Sequence, residues 1–283
     1  MLEKVDFVNK IEKKNFTDER SLFKVKDLIV EQCCFDVGES PLKESRNIHA
    51  IDCTFNYKYP FWYSKSAIVD HCKFNKMARS GVWYGENLVF KNVDSIAPKT
   101  FRRCKNVKVI NSKFNDSSEA FWNCKNLIIE NTYFKGDYIF MNSSNIKISD
   151  STIDGNYCFD GGSNIEVRNC ILSSKDSFWN CKNVSVYDST IEGEYIGWNS
   201  NNLIFHNCKI KSHQGFCYIK NLVIKDSEID ESDLIFEFCE DVDVDVKGHI
   251  LSILNPTSGI IKYEECDEII INDEKSAVRV IRK

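Results

Sequence analysis

The sequence lacks the features that mark membrane and nucleic-acid-binding proteins. No apolar run in its 283 residues is long enough to cross a bilayer, so the sequence predicts no membrane-spanning segment. The net charge of −5 gives no electrostatic basis for binding nucleic acid or an acidic membrane surface. The first residues, with Glu3, Lys4 and Asp6, are too charged for a signal-peptide core. We therefore expect a cytoplasmic protein with neither nucleic acid nor a membrane among its partners.

The cysteines lack the spacing that binds metals. None of the 13 cysteines forms a C-x-x-C pair, and none of the five histidines falls in a metal-ligand spacing. Many cysteines instead recur at equivalent repeat positions, as expected of small residues at tight interior sites. One column holds Cys33, Cys53, Cys72, Cys170 and Cys208, with Ser112, Thr132, Ser151, Ser189 and Ser227 in other repeats, and another holds Cys104, Cys124, Cys181 and Cys239. The sequence predicts neither a metal site nor a cofactor.

Glycine and proline are scarce, with 12 and 4 residues, but the sequence contains a clear internal repeat. Its unit is about nineteen residues long and begins at a polar anchor, usually asparagine, which is followed by alternating apolar positions. The anchors are Asp27, Asn47, Ser66, Asn87, Asn106, Asn126, Asn145, Asn164, Asn183, Asn202, Asn221 and Asp241. A repeat this regular predicts one continuous architecture.

The alternation after each anchor predicts a strand with one buried face, in which Leu127 and Ile129 point inward and Ile128 points outward. A second short strand carries an inward residue such as Phe134, and a third precedes the next anchor. Such units bury their apolar faces only by stacking, and they are too short for a four-stranded propeller blade. We therefore predict an all-β fold: a right-handed single-stranded parallel β-helix of about twelve coils of about 19 residues, with three short strands per coil.

The first and last repeats divide the chain into three predicted regions. Residues 1–20 form an N-terminal cap, in which Leu2, Val5 and Val8 have the spacing of a short helix. Residues 21–241 form the parallel β-helix, and residues 242–283 form irregular last coils and a C-terminal cap.

Two polar columns are predicted to be structural. Asparagine tolerates the left-handed backbone of a sharp corner, and stacked amides can form a hydrogen-bonded ladder from coil to coil. The anchors would serve one corner in this way. The second column, which we expect at a second corner, is Asp52, Asn92, Asn111, Asn131, Asp150, Asn169, Asp188, Asn207 and Asp226.

Every tryptophan lies four residues before an anchor. The column one residue earlier is mostly phenylalanine and carries no charge, whereas the tryptophan column also holds Arg102 and Asp160. Adjacent strand residues face opposite sides, and burial of an unpaired charge is costly, so we expect the phenylalanines in the core and the tryptophans at the surface. The alternative is that the indoles pack beneath the preceding loops. The tryptophans are Trp62, Trp83, Trp122, Trp179 and Trp198.

A surface row of tryptophans indicates a binding partner. Indole faces suit the C–H faces of sugar rings, so we expect the row to bind an oligosaccharide or a similar extended ligand. Outward positions beside the row hold Lys58, Arg79, Lys175 and Glu194, which would contact the same ligand. The alternative is a non-catalytic scaffold that docks another protein on the same tryptophans.

Several local motifs resemble those of one bacterial family of pectin-lyase-like right-handed β-helices, a domain of unknown function catalogued as family 3737. The resemblance covers roughly residues 20–240 and implies the fold, but it implies neither an activity nor catalytic residues. The motifs are Gly38-Glu39-Ser40-Pro41-Leu42-Lys43-Glu44-Ser45, Tyr59-Pro60-Phe61-Trp62-Tyr63, Ala97-Pro98-Lys99-Thr100-Phe101-Arg102, Gly155-Asn156-Tyr157-Cys158-Phe159-Asp160, Lys175-Asp176-Ser177-Phe178-Trp179-Asn180 and Gly193-Glu194-Tyr195-Ile196-Gly197-Trp198-Asn199-Ser200.

Catalysis, by a hydrolase or a lyase, is left open by the sequence. It matches neither the aspartate motifs of polygalacturonases nor the calcium-site and arginine pattern of pectate lyases. A glycosidase needs two carboxylates at a defined separation, and neighbouring coils can supply them. If the protein is an enzyme, we expect Asp137 and Asp160 to be the acid and base, with Arg102 orienting an anionic group of the substrate.

Overall fold

The computed structural model describes residues 9–283, which divide into two compact units. The N-terminal unit ends at Ile146 and the C-terminal unit begins at Lys147. Each unit is a right-handed parallel β-solenoid, and the two units together have about 14 turns. The predicted fold class is therefore confirmed, and the number of coils is slightly higher than the predicted number. Among residues 9–283, no helix is long and apolar enough to cross a membrane, and the single helical element is a 3₁₀ turn at Lys76–Ala78.

Each coil of the N-terminal unit supplies one longer and one short strand. The longer strands pair in parallel in the order β1, β3, β5, β7, β9, β11, β13. The short strands pair separately in the order β2, β4, β6, β8, β10, β12, β14. The bounds are β1 Asn9–Glu12, β2 Asn15–Phe16, β3 Lys26–Glu31, β4 Cys34–Phe35, β5 Arg46–Ile51, β6 Thr54–Phe55, β7 Lys65–Asp70, β8 Lys73–Phe74, β9 Glu86–Lys91, β10 Asp94–Ser95, β11 Lys105–Ile110, β12 Lys113–Phe114, β13 Lys125–Glu130 and β14 Tyr133–Lys135.

The C-terminal unit repeats this arrangement after β15 (Ser144–Ser149), which contains the division between the units. Its longer strands pair in parallel as β17, β19, β21, β23, β24, β26 and β28, and β25 pairs with β27. The bounds are β16 Thr152–Asp154, β17 Ser163–Arg168, β18 Ile171–Ser173, β19 Lys182–Tyr187, β20 Thr190–Glu194, β21 Asn201–His206, β22 Lys209–His213, β23 Lys220–Ile229, β24 Glu240–Lys247, β25 His249–Leu254, β26 Ser258–Tyr263, β27 Glu265–Ile270 and β28 Ala277–Arg282.

The third segment of each coil is a turn rather than the predicted strand. Between Lys99 and Phe238, every second residue of each turn segment has a left-handed backbone, as at Glu119 (φ 57°), Phe121 (φ 58°) and Asn123 (φ 55°). Parallel hydrogen bonds still join these segments from coil to coil, for example from Phe121 N–H to the Thr100 carbonyl at 3.0 Å. Because alternate residues have a left-handed backbone, the side chains of the turn segment do not follow the directions of a regular strand. Neighbouring residues therefore do not point strictly to opposite faces.

The two predicted caps differ from the described structure. Residues 1–8 lie outside the described residues, and the remainder of the predicted helical cap holds strands β1 and β2. Residues 242–283 are more regular than predicted, because β24 to β28 continue the parallel pairing. Strand β1 pairs in parallel with β3 of the following coil, which accounts for the strand at residues 9–12.

The phenylalanine column forms the core, as predicted. Phe101 stacks on Phe121 with ring centroids 4.5 Å apart, and Phe159 stacks on Phe178 at 4.9 Å. All four rings are 0% exposed. Aromatic stacking between equivalent residues therefore fills the interior of each unit at the coil spacing.

The polar corner residues behave as the repeat predicts. All twelve anchors have a left-handed backbone, with φ between 52° and 60°. Their amides form ladders within each unit: Asn126 donates to Asn106 at 2.8 Å, and Asn202 donates to Asn183 at 2.9 Å. The second polar column is also left-handed, and Asn207 donates there to Asp188 at 2.7 Å.

The cysteine columns lie in the interior, and all thirteen thiols are free. The side chain of one coil accepts a hydrogen bond from a backbone N–H of the previous coil, as in Cys53 N–H to Cys72 Sγ at 3.4 Å. Serine does the same elsewhere, as in Cys170 N–H to Ser189 Oγ at 3.0 Å. Cysteine and serine are interchangeable in these columns because both satisfy a buried backbone donor.

Removal of an anchor amide should destabilise the N-terminal unit. We expect Asn126→Ala to lower the free energy of unfolding by about 1–3 kcal/mol, because alanine loses two ladder hydrogen bonds and disfavours the left-handed backbone. Urea denaturation followed by circular dichroism would measure the loss. Asn126→Gly, which accepts that backbone, should lose less. Equal losses in the two variants would show that the corner conformation contributes nothing.

Candidate functional site

The tryptophans of the N-terminal unit form a continuous stack with one arginine. Trp62 lies parallel to Trp83 with ring centroids 5.1 Å apart. The Arg102 guanidinium lies between the indoles of Trp83, at 5.2 Å, and Trp122, at 4.2 Å. The Tyr59 ring also contacts Trp62, with ring centroids 4.4 Å apart. Trp83 thus contacts both Trp62 and Arg102, and Trp62 contacts both Trp83 and Tyr59.

Backbone hydrogen bonds hold the same three indoles in place. The N–H groups of Trp62, Trp83 and Trp122 donate to carbonyls of the following coil, at Ser80 (2.6 Å), Lys99 (3.0 Å) and Tyr138 (2.6 Å). All three tryptophans are half-buried. The observed exposure of these tryptophans is intermediate between the two predictions made from the sequence, because the rings reach the surface but also lie against neighbouring coils.

Arg102 belongs to a charge network inside this stack. Its guanidinium donates to Glu119, which also pairs with Lys99 at 3.1 Å. Burial acts to raise the pKa of Glu119, but the hydrogen bonds from Lys99 and Arg102 outweigh it, so the pKa of Glu119 is lowered. The charge of Arg102 is thus engaged by Glu119, and its guanidinium contacts two indoles.

The other predicted site residues of the N-terminal unit lie near its surface. Lys58 forms an ion pair with Glu39 at 2.9 Å, which raises the pKa of Lys58. Arg79 is exposed beside the 3₁₀ turn. Asp137 is also exposed, and its backbone carbonyl accepts a hydrogen bond from Glu119 N–H at 2.8 Å. The structure places these residues on or beside the turn segments.

The tryptophans of the C-terminal unit are packed more loosely. Trp179 and Trp198 meet edge to face, with ring centroids 6.5 Å apart and an interplanar angle of 90°. Tyr195 meets Trp198 at 78°, and Tyr218 lies tilted beside it at 5.2 Å. Tyr218 and the adjacent Phe238 are 44% and 39% exposed, so this cluster extends to the surface. We call these five residues the C-terminal aromatic cluster.

The hydrogen bonding of the indole N–H groups differs between the tryptophans of the two units. Unlike the three indoles of the N-terminal unit, those of Trp179 and Trp198 donate no hydrogen bond to any residue in the described range 9–283. Neither nitrogen is fully shielded from solvent. These two donors are available to a ligand, because no coil of the protein uses them.

Asp176 lies in the turn segment that carries Trp179, and the sequence prediction did not select it. Its residue exposure is only 4%, yet its carboxylate accepts no hydrogen bond and forms no ion pair within residues 9–283. Burial raises its pKa; Lys175 opposes this, while Glu194 and Asp160 add to it. The sequence does contain a signal for Asp176, because it places an aspartate where four other coils hold a tyrosine. These tyrosines are Tyr59, Tyr138, Tyr157 and Tyr195.

The remaining predicted residues of the C-terminal unit surround Asp176. Lys175 pairs with Glu194 at 3.1 Å, and its Nζ lies 5.2 Å from the centroid of the Tyr195 ring. Asp160 accepts a hydrogen bond from Asn180 at 3.1 Å, and Asn180 accepts one from Asn199 at 2.8 Å. Asp160 is thus the last acceptor of a corner ladder. Its charge acts on Asp176, but its carboxylate already has a structural partner.

This arrangement combines stacking surfaces, free donors and an unpaired carboxylate, which are the groups that recognise a polyhydroxylated ligand. Within residues 9–283, no three His, Cys, Asp or Glu side chains are grouped so that they could hold a metal ion.

Residues 9–281 match the family described as "Protein of unknown function (DUF3737)". The chain belongs to this family. No curated protein matches the DUF3737 chain.

Several solved β-helix proteins are similar to this DUF3737 protein at low sequence identity. A tailspike protein of E. coli bacteriophage HK620, solved with a pentasaccharide, has a TM-score of 0.45 and 9% identity over 96% of this chain and 72% of that chain. The surface adhesin PfbA of Streptococcus pneumoniae has a TM-score of 0.39 and 11% identity over 96% and 74%. The A-module of the Azotobacter vinelandii mannuronan C-5 epimerase AlgE6 has a TM-score of 0.33 and 10% identity over 96% and 88%. Likeness at this level carries no information about function.

Proposed function

We propose that this DUF3737 protein binds an extended saccharide along the turn segments of its C-terminal unit. The observation that carries the proposal is the pair of half-buried indoles, Trp179 and Trp198, whose N–H groups have no partner in residues 9–283. Sugar rings offer C–H faces for the indole rings and hydroxyl oxygens for the indole N–H groups. Successive coils repeat these groups at about the inter-strand spacing, which suits a chain ligand.

The charge around the C-terminal aromatic cluster favours a neutral or amino-substituted saccharide over an acidic one. The basic side chains there already have partners: Lys175 pairs with Glu194 at 3.1 Å, and His213 Nδ1 lies 2.6 Å from Asp233 Oδ1. The acidic side chains on the same turn segments outnumber them, and an anionic sugar would meet like charges. These acids are Asp160, Asp176, Glu194, Asp233 and Glu237.

Tryptophan fluorescence and calorimetry with defined oligosaccharides would test the proposal. We expect a neutral hexasaccharide, drawn from β-1,4-linked glucose, mannose, xylose and N-acetylglucosamine series, to bind saturably, and an oligogalacturonate to bind more weakly. Trp179→Ala should weaken binding at least about 10-fold, because aromatic anchors dominate such contacts. Trp83→Ala is the matched control: it removes an indole that the protein itself covers, so affinity should persist although stability falls.

Two outcomes would contradict saccharide binding. One is that no member of the panel changes fluorescence or releases heat. The other is that Trp83→Ala and Trp179→Ala weaken binding equally, which would assign the effect to general destabilisation. Docking of another protein on the same cluster, the alternative function, predicts the first outcome together with loss of a protein complex in Trp179→Ala.

We also propose a cytoplasmic location. All thirteen cysteines are unpaired thiols, and most are buried next to other thiols or hydroxyls in the interior columns. A reducing compartment maintains thiols in this state.

A further inference from the structure

The side chain of Asp176 is nearly buried, and its carboxylate oxygens still reach solvent. It is 4% exposed, its backbone is left-handed with φ 55°, and its carboxylate has no partner among residues 9–283. The next side chain, Ser177, also has a buried hydroxyl without a hydrogen-bond partner. Buried polar groups are normally satisfied, and exceptions that combine burial with backbone strain cluster at functional sites.

A second carboxyl group, that of Glu194, lies on the next coil. Asp176 N–H donates to the Glu194 carbonyl at 2.8 Å, which places the two residues on adjacent turn segments. Glu194 has the opposite environment from Asp176, because its carboxylate is ion-paired with Lys175 at 3.1 Å and is more exposed. Two nearby carboxyl groups with opposed environments are the pattern of an acid and a base in one active site.

Burial and three neighbouring charges set the pKa of Asp176. Burial is the main cause of its raised pKa; Lys175 lowers the pKa, and the charges of Glu194 and Asp160 raise it. The balance allows Asp176 to keep its proton at a higher pH than an exposed aspartate would.

We propose that Asp176 is the proton donor, and Glu194 the base, of a glycoside-hydrolysing centre beside Trp179 and Trp198. The proposal rests on the proposed saccharide binding. It assigns the catalytic carboxylates to the C-terminal unit alone and differs from the pair Asp137 and Asp160 that the sequence suggested.

In the hydrolytic step, the Asp176 carboxylic acid transfers its proton to the glycosidic oxygen as the bond from that oxygen to the anomeric carbon breaks. The electron pair of the broken bond stays on the departing oxygen. A water molecule attacks the anomeric carbon and gives one proton to the Glu194 carboxylate. The products are two shorter saccharides. Proton transfer from Glu194 through solvent to Asp176 restores the starting state.

The first test measures the cost of Asp176 without a substrate. At pH 7, Asp176→Asn should raise the melting temperature by about 2–4 °C, because it replaces a buried unpaired charge with an amide of similar shape. A folded-state pKa above the unfolded value means that the carboxylate destabilises the protein above the unfolded pKa. The gain should therefore shrink as the pH falls towards 4. A purely structural aspartate would instead melt at a lower temperature after substitution, and that result would overturn the proposal.

The second test measures turnover of whichever neutral hexasaccharides bind in the fluorescence titration. Wild-type protein should release new reducing ends, with activity falling as the pH rises above the pKa of Asp176. Asp176→Asn and Glu194→Gln should each lower turnover at least about 100-fold while affinity persists. Glu192→Gln is the matched control: Glu192 is exposed on the same strand as Glu194, outside the turn segment, and its loss should leave turnover unchanged.

The two proposals fail in different ways. Saccharides that bind without any release of reducing ends would overturn the hydrolytic centre and leave saccharide binding standing. Wild-type turnover in Asp176→Asn would overturn the hydrolytic centre in the same way. An absence of binding to the whole panel would instead remove the proposed function, and the catalytic assignment with it.

Discussion

Ile129→Ala should lower the free energy of unfolding by about 2–5 kcal/mol, the usual cost of truncating a fully buried isoleucine. Ile129 is 0% exposed on β13 and is paired in register with Val109 of the neighbouring strand. Its inward methyl groups fill the interior of the N-terminal unit, where a cavity would remain after truncation. Urea denaturation followed by far-ultraviolet circular dichroism measures the difference.

The adjacent residue supplies a matched control. Ile128 lies on the same strand but is 42% exposed, so Ile128→Ala removes the same atoms from a surface position. Its cost should stay within about 0.5 kcal/mol. Equal costs at the two positions would contradict the assignment of the inward face, and with it the period-two alternation of the strand.

Arg102→Leu should lower the free energy of unfolding by about 2–4 kcal/mol, the sum expected from a charge-assisted hydrogen bond and two cation–π contacts. The substitution removes the cation between Trp83 and Trp122 and leaves Glu119 with Lys99 alone. Arg103→Leu is the matched control. Arg103 is exposed and lies 5.7 Å from the Tyr84 ring, so its loss should cost at most about 1 kcal/mol.

The contribution of Glu119 to stability should depend on pH. Its pKa in the folded protein is lowered, with the bonds from Lys99 and Arg102 overcoming burial, so the network stabilises the fold above the ordinary glutamate pKa. That stabilisation should disappear as the pH falls through the folded-state pKa. Wild type and Glu119→Gln should therefore differ in melting temperature at pH 7 and converge once the pH lies below the lowered pKa of Glu119. A constant difference across this range would contradict a role for the Glu119 charge.

Much of the fold could be predicted because each repeat column reports one physical requirement. A phenylalanine column without charge predicts core, and Phe101 and Phe121 are fully buried. Asparagine at the anchors predicts a left-handed corner, which φ angles of 52° to 60° confirm. The turn segment was harder to predict, because its alternating apolar residues resemble a strand while its backbone alternates in handedness.

The candidate site was less predictable because its decisive property is a difference between equivalent positions. Trp83 and Trp179 occupy the same column, yet Trp83 donates its N–H to Lys99 and contacts Arg102, whereas the N–H of Trp179 has no partner in residues 9–283. That difference depends on which residues the next coil presents. The same holds for Asp176, because the sequence reveals neither its burial nor the lack of a partner for its carboxylate within residues 9–283.

The sequence by itself determined the solenoid, its corners and its inward columns, because strand alternation and left-handed corners are local requirements that recur every nineteen or so residues. Only the tertiary structure decided which tryptophans the protein covers and which carboxylate it leaves unpaired. Those properties arise from side chains on adjacent coils, and stacking brings together residues about nineteen positions apart whose pairing no single repeat encodes.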